Sequence, residues 1–128
     1  MNKQVLETIE NEGIATSFST EDSQGRIKMI NAKGTGARSL NELKSDEVIT
    51  VTDVMLYSDI VDNYGTEQDT IITSLFTEND VYGSISSTVK EVASELIPLL
   101  KDLEQVDVKV TRTKSKKGQE YLSLVILG

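Results

Sequence analysis

Four cations crowd into eight residues near the C-terminus: Arg112, Lys114, Lys116 and Lys117, in the run Thr111 to Gly118 (TRTKSKKG). The chemistry open to them is non-covalent. Ammonium groups and a guanidinium hold phosphate oxygens, and the hydroxyls of Thr113 and Ser115 add neutral donors. A second kind of group recurs along the chain as Tyr57, Tyr64, Tyr82 and Tyr121, whose flat rings can take unstacked bases at ~1–3 kcal/mol each. Covalent chemistry is poorly served. The chain has no histidine and no cysteine, which excludes Ser-His and Cys-His hydrolases and thiolate or imidazole zinc sites. No Gly-x-x-x-x-Gly-Lys-Ser/Thr loop is present to cradle a nucleotide. No catalytic residue and no cofactor are expected.

Elements must hold these groups in place. Val106 to Val110 alternates apolar and polar residues, and Tyr121 to Leu127 carries the inward series Leu122, Leu124, Ile126. Such alternation predicts two half-buried strands, over 105–113 and 119–127, with the basic run as their turn. The cations therefore ride on a stiff hairpin. Upstream, Val48 to Tyr57 is a long β-branched stretch, Thr70 to Phe76 a second strand and Val81 to Ser84 a third. The segment between the first two, Ser58 to Gln68, is expected to be an acidic loop. Val89, Val92, Leu96, Leu99 or Leu100, and Leu103 then recur at helical spacing, with Thr88 to Glu91 shaped as a capping box and Pro98 expected to kink or end the helix.

The order strand, strand, strand, helix, strand, strand is that of an OB-fold, a mainly β, five-stranded Greek-key barrel with one helix between strands three and four. It is expected over residues 26–128, behind a polar N-terminal extension of residues 1–25. Within the start of this domain, Ile27 to Ile30 is expected as a strand, Lys33 to Arg38 as a glycine-paired loop and Ser39 as the cap of a helical turn. Residues 1–25 offer a turn of helix at Val5-Leu6-Ile9 and a short strand over Ile14 to Phe18.

The net charge of −8 argues against nucleic acid until it is resolved along the chain. Residues 26–44 and 108–128 each carry +4, against −4 over residues 1–25 and −12 over residues 45–107. Local clustering decides an electrostatic footprint, and the two positive segments contain the candidate cations. An OB-fold engages strands across its second and third strands and the loops that flank them. The expected nucleic-acid contacts are Lys33, Arg38, Tyr57, Tyr64, Tyr82, Arg112, Lys114, Lys116, Lys117 and Tyr121. Phe18 and Phe76 are assigned to the core. Lysines on a hairpin also keep it soluble and discourage edge pairing, which is the bland reading of the same turn.

In order and spacing, five pieces carry a likeness: Ile30-Asn31-Ala32 with Ser39-Leu40, Val48 to Val54, Asp80 to Ser84, the helix with Val89 and Leu96, and Val108 through Lys116-Lys117-Gly118 to Leu124. Over about residues 27–127 the chain resembles the small single-stranded DNA-binding proteins of tailed phages, similar to those of Bacillus phages with protein-primed replication. The resemblance implies cooperative, sequence-independent coating of single-stranded DNA during phage or plasmid replication. It implies a cytoplasmic location in a bacterial host, with Tyr82 and the lysines around Gly118 matching best. The acids of Ser58 to Gln68 depart from the pattern, since they repel phosphates near Tyr64. Replication proteins, if engaged, would meet the acidic first 25 residues, because no acidic tail follows the last strand.

Two other classes remain open on sequence. An acidic protein-interaction module, mimicking nucleic acid, would use the fourteen acids between residues 45 and 107. A metal-dependent nuclease would use Asp59, Asp62, Glu67 and Asp69, whose spacing does not fit a calcium loop. No membrane segment is expected, since no apolar run approaches the roughly 18 residues a span requires.

Overall fold

The computed structural model describes residues 2–34, 36–63 and 65–128, the backbone alone over 61–63. The elements run α1 (Lys3–Glu12), β1 (Ile14–Thr16), α2 (Ser23–Lys33), β2 (Arg38–Ser39), a 3-10 turn (Leu40–Glu42), β3 (Val48–Val51), β4 (Asp53–Asn63), β5 (Thr66–Phe76), β6 (Val81–Ser84), α3 (Ser87–Asp102), β7 (Val106–Lys114) and β8 (Glu120–Ile126). They form a five-stranded sheet in the order β1-β4-β5-β6-β2 and a three-stranded sheet β3-β7-β8.

The strand order expected from residue 48 onward is present, but the barrel does not close. The long first strand breaks at Thr52, where the Phe76 carbonyl accepts from both the Thr52 amide (2.8 Å) and its hydroxyl. Val48–Val51 thereby joins β7, and Asp53 onward joins β5. Closure would need β6 to pair with β8. Instead, β6 is only four residues long and its free edge is taken by β2, in parallel register Arg38↔Tyr82 and Ser39↔Gly83. Beyond Ser84 the chain turns into α3, whose first turn bridges the gap with side chains. Ser86 caps it by accepting from the Val89 amide, and the Thr88 hydroxyl donates to the Leu122 carbonyl of β8. The cap is thus Ser86, two residues before the expected box at Thr88.

α3 buries Val89, Ala93, Leu96, Ile97 and Leu100 on one face, against β4, β5 and β8. Each large side chain removed from water there contributes about 1.5–3 kcal/mol. Pro98 sits inside the helix, which runs on to Asp102; its missing N–H leaves the Ser94 carbonyl without the usual partner. The main core joins this face to Val54, Leu56, Leu75, Tyr82, Val108, Val110, Leu122 and Leu124. Ile126, expected to point inward, is exposed.

The N-terminal residues are part of this core rather than an appendage. Val5, Ile9 and Ala15 belong to it, and β1 pairs with β4 at Ile14↔Tyr57 to Thr16↔Met55. The expected boundary after residue 25 falls inside α2. That helix also replaces the strand expected at Ile27 to Ile30: the Asp22 carboxylate caps it by accepting from the Gly25 amide at 2.7 Å. Lys33 is its last residue, not the start of a loop.

Two hairpin arms project from the sheets. β7 and β8 pair from Val108↔Ile126 to Lys114↔Glu120, while β3 flanks β7 only as far as Lys109. The expected acidic loop is the second arm: β4 and β5 pair without interruption from Asp53↔Phe76 to Asn63↔Thr66. Gly65, at φ +81°, supplies the left-handed residue of its tight turn. Asp59, Glu67 and Asp69 are strand residues on that arm.

Candidate nucleic-acid interface

Strand alternation sorts the five-stranded sheet into two faces. Val54, Leu56, Leu75 and Tyr82 point into the main core. Met55, Tyr57, Ile72, Phe76 and Val81 point the other way and form a smaller cluster with Ile14, Phe18, Met29 and Ala32. Across this outer face the register places Tyr57 opposite Ile72, and Met55, Ser74 and Gly83 in one row. Tyr57 and Tyr82, expected to converge, therefore lie on opposite faces. Phe18 and Phe76 are core residues as expected, meeting edge to face at 5.6 Å.

Both strand tyrosines are covered. Tyr57 is 5% exposed and Tyr82 6% exposed. The Lys33 ammonium lies 5.0 Å from the Tyr57 ring centre, the Arg38 guanidinium 5.6 Å from that of Tyr82, and the Lys28 ammonium 5.2 Å from that of Phe18. Cations at these distances are attracted by the ring quadrupole, worth about 0.5–1 kcal/mol at exposed sites. Burial raises the Tyr57 hydroxyl above its usual range, helped by Asp59. Burial does the same for Tyr82, with Asp80 adding to it and Arg38 opposing. Arg38 is further held by Glu42, whose carboxylate accepts from its Nε at 2.8 Å and raises its affinity for the proton, and by Asp80 at 3.8 Å.

The basic turn is built as its sequence requires. Gly118, at φ +81°, lets its amide reach the Ser115 carbonyl at 2.9 Å, and the Ser115 amide donates to the Gln119 carbonyl at 2.8 Å. Lys114, Lys116 and Lys117 are exposed, and among the described residues no carboxylate pairs with any of them. Arg112 is different. Its Nη2 donates to the carbonyls of Asn41 at 2.8 Å and Leu43 at 2.6 Å, and its Nε lies 3.7 Å from Glu120. It ties the root of the arm to the end of the 3-10 turn, with both Nη2 hydrogens committed to backbone carbonyls.

At that root lies an open groove of about 490 Å³, lined by Ile72, Gly83, Ser84, Ile85, Glu120 and Tyr121, with Ser39 and Asn41 at one end. It occupies the gap left where β6 and β8 do not pair. Tyr121 is 39% exposed and Ile85 62% exposed. A ring and an aliphatic side chain thus flank a slot whose floor, at Gly83, carries no side chain. Ile72 connects it along the outer face to Tyr57. A Cβ at Gly83 would meet only the Arg38 and Thr73 carbonyl oxygens, at 3.9 and 4.0 Å.

Residues 8–127 match the family model described as phage single-stranded DNA-binding protein. The chain belongs to that family. It is 36% identical over 118 residues to the single-stranded DNA-binding protein of Bacillus phage B103, covering 90% of this chain and 97% of that protein. It is 36% and 35% identical, each over 114 residues, to those of Bacillus phages PZA and phi29, covering 87% of this chain and 92% of each relative. No solved structure matches the chain.

For this family member, the site residues expected from sequence fall into three groups besides Arg112, which braces the arm. Lys114, Lys116, Lys117 and Tyr121 share the basic arm and its root. Tyr57, Lys33, Tyr82 and Arg38 are engaged with one another as ring and cation, one pair on each face. Tyr64 lies outside the described residues. Sequence reasoning missed Ile72, Ser84 and Ile85; the signal was present in Gly83-Ser84-Ile85, where a strand carries a glycine just before its end and an exposed isoleucine precedes the helix cap. Asp59, Glu67 and Asp69 are spread along the acidic arm, and among the described residues no group of three such side chains is placed to hold a metal. Nor is any described helix long and apolar enough to cross a membrane.

Proposed function

We propose that this protein binds single-stranded DNA without catalysis and without reading sequence, coating strands exposed during phage replication. The family supports the ligand, since relatives matching nearly the whole chain are named for it. The element order supports an OB-type barrel left open between β6 and β8, with the ligand on its outer face and residues 26–128 supplying the contacts of the groove. The observation that carries the reading is the groove at the root of the basic arm: an exposed ring and an aliphatic wall, on an arm whose turn carries three exposed lysines with no carboxylate partner among the described residues. A base stacked on Tyr121 leaves its phosphates toward Lys114, Lys116 and Lys117. Such contacts are blind to sequence, because every base has a π-face and every nucleotide a phosphate.

The test is a titration of a fluorescent oligo-dT, of the matched duplex and of a mixed-sequence strand. Tight binding to both single strands, weak binding to duplex and loss of affinity with added salt are expected. Equal affinity for duplex, or no affinity at low salt, would overturn the reading.

A further inference from the structure

We propose that α2 is a displaceable cover over a second, inner section of the strand-binding face, and that unpaired nucleobases take its place when the protein loads. The proposal rests on the strand-binding reading above. Its evidence is the way α2 sits. The helix lies on the outer face, where Met29 and Ala32 pack on Met55, Tyr57 and Phe76, and this face continues through Ile72 into the groove. A strand laid in the groove therefore runs into the edge of α2.

The hold of α2 is weak. Of its eleven residues only Gly25 and Ala32 are buried, while Ile27 and Ile30 (69% exposed) face solvent. Its sequence carries two β-branched residues and a glycine, so local preference and observed conformation disagree. A segment in that position has a second conformation within reach. What it covers is also unfinished. The Ser74 hydroxyl is fully buried in the outer-face row with Met55 and Gly83 and has no hydrogen-bond partner among the described residues. A buried hydroxyl without a partner is a cost of the closed form, relieved when a nucleotide or water reaches it.

The cations complete the exchange. Lys33 and Lys28 occupy the ring faces of Tyr57 and Phe18, where a base would stack, and Lys28 is paired to Asp53 at 2.5 Å. On opening, the rings pass to bases and the ammonium groups to phosphates, while the Asp53 carboxylate gives up Lys28 and keeps the Ser17 hydroxyl, which donates to it at 2.8 Å. Only the fraction of molecules with α2 open is competent at this inner section, which lowers the apparent affinity by that fraction.

Gly25 gives the handle. A Cβ there would stand 1.6 Å from the Ser19 carbonyl oxygen, so the closed seat of α2 admits no side chain at that position. Gly25→Ala should unseat the helix without substituting any of the cations or rings. The experiment compares oligo-dT affinity of wild type and G25A, together with amide hydrogen exchange of the wild type with and without saturating oligo-dT. G25A is expected to bind about three- to tenfold tighter, and the wild-type amides of residues 27–33 to exchange faster when the strand is bound. Equal or weaker affinity of folded G25A overturns the cover, as does unchanged or slower exchange in wild-type α2, a readout that needs no variant to fold. Absence of any binding by the wild type overturns the strand-binding reading itself, and the cover with it.

Discussion

Tyr121 and Tyr82 show how far two tyrosines in one small protein can differ. Tyr121 stands exposed beside Ile85 at the groove, so Tyr121→Ala should weaken oligo-dT binding by about 1–3 kcal/mol, one base's worth of stacking. Tyr121→Phe should keep most of it. Anisotropy titration checks both, and an unchanged alanine variant would remove the ring from the interface. Tyr82 is a core residue under Arg38, so Tyr82→Ala should cost about 3–5 kcal/mol of stability in urea unfolding. The same burial links the tyrosines to pH. Tyr57 and Tyr82 have hydroxyl pKa values raised above the ordinary value of about 10. Their contribution to stability is fully present below pH about 10. It is lost as pH climbs through the raised folded values, because the unfolded chain ionises first. Thermal unfolding should therefore weaken from about pH 10 upward, and a Tyr57→Phe, Tyr82→Phe double variant should lose part of that decline. A double variant with an unaltered alkaline limb would contradict the linkage.

Arg112 acts through elements rather than on a ligand. It braces the basic arm against the 3-10 turn through the carbonyls of Asn41 and Leu43, so Arg112→Met should lower stability by about 1.5–3 kcal/mol. Urea unfolding measures this, and an unshifted midpoint would show that the brace carries no weight. Sequence placed Arg112 with the lysines because charge spacing cannot tell a free cation from one anchored to backbone carbonyls. Elements with strong alternation were legible: β6 at Val81 to Ser84, and the β7–β8 hairpin to within a residue or two. The acidic arm was not, because Ser58 to Gln68 is mostly polar, its Ile60-Val61 pair gives no alternation, and strand pairing holds it. Nor was α2, whose Ile-Lys-Met-Ile run has the pattern of a strand. Only Asp22, accepting from the Gly25 amide, marked a helix start.

At the scale of the whole molecule, the order of strands and helix was legible and closure was not. The sequence of elements says nothing of which strand takes the free edge of β6, and β2 takes it from far upstream. That substitution opens the groove between β6 and β8, and so the feature least visible in the sequence is the one that shapes the candidate site. The distribution of charge was legible from the start, and it makes the strongest quantitative demand. In a chain of net charge −8, binding to a polyanion must run through local cations. Each phosphate neutralised adds about −0.7 to the slope of log affinity against log salt for a single strand. The direct measurement is that slope, by oligo-dT titration over a range of salt, for wild type and a Lys114→Ala, Lys116→Ala, Lys117→Ala triple variant. The slope should become shallower by about 2 in the triple variant, with affinity at low salt falling sharply. An unchanged slope and affinity would mean that the basic arm does not touch the strand.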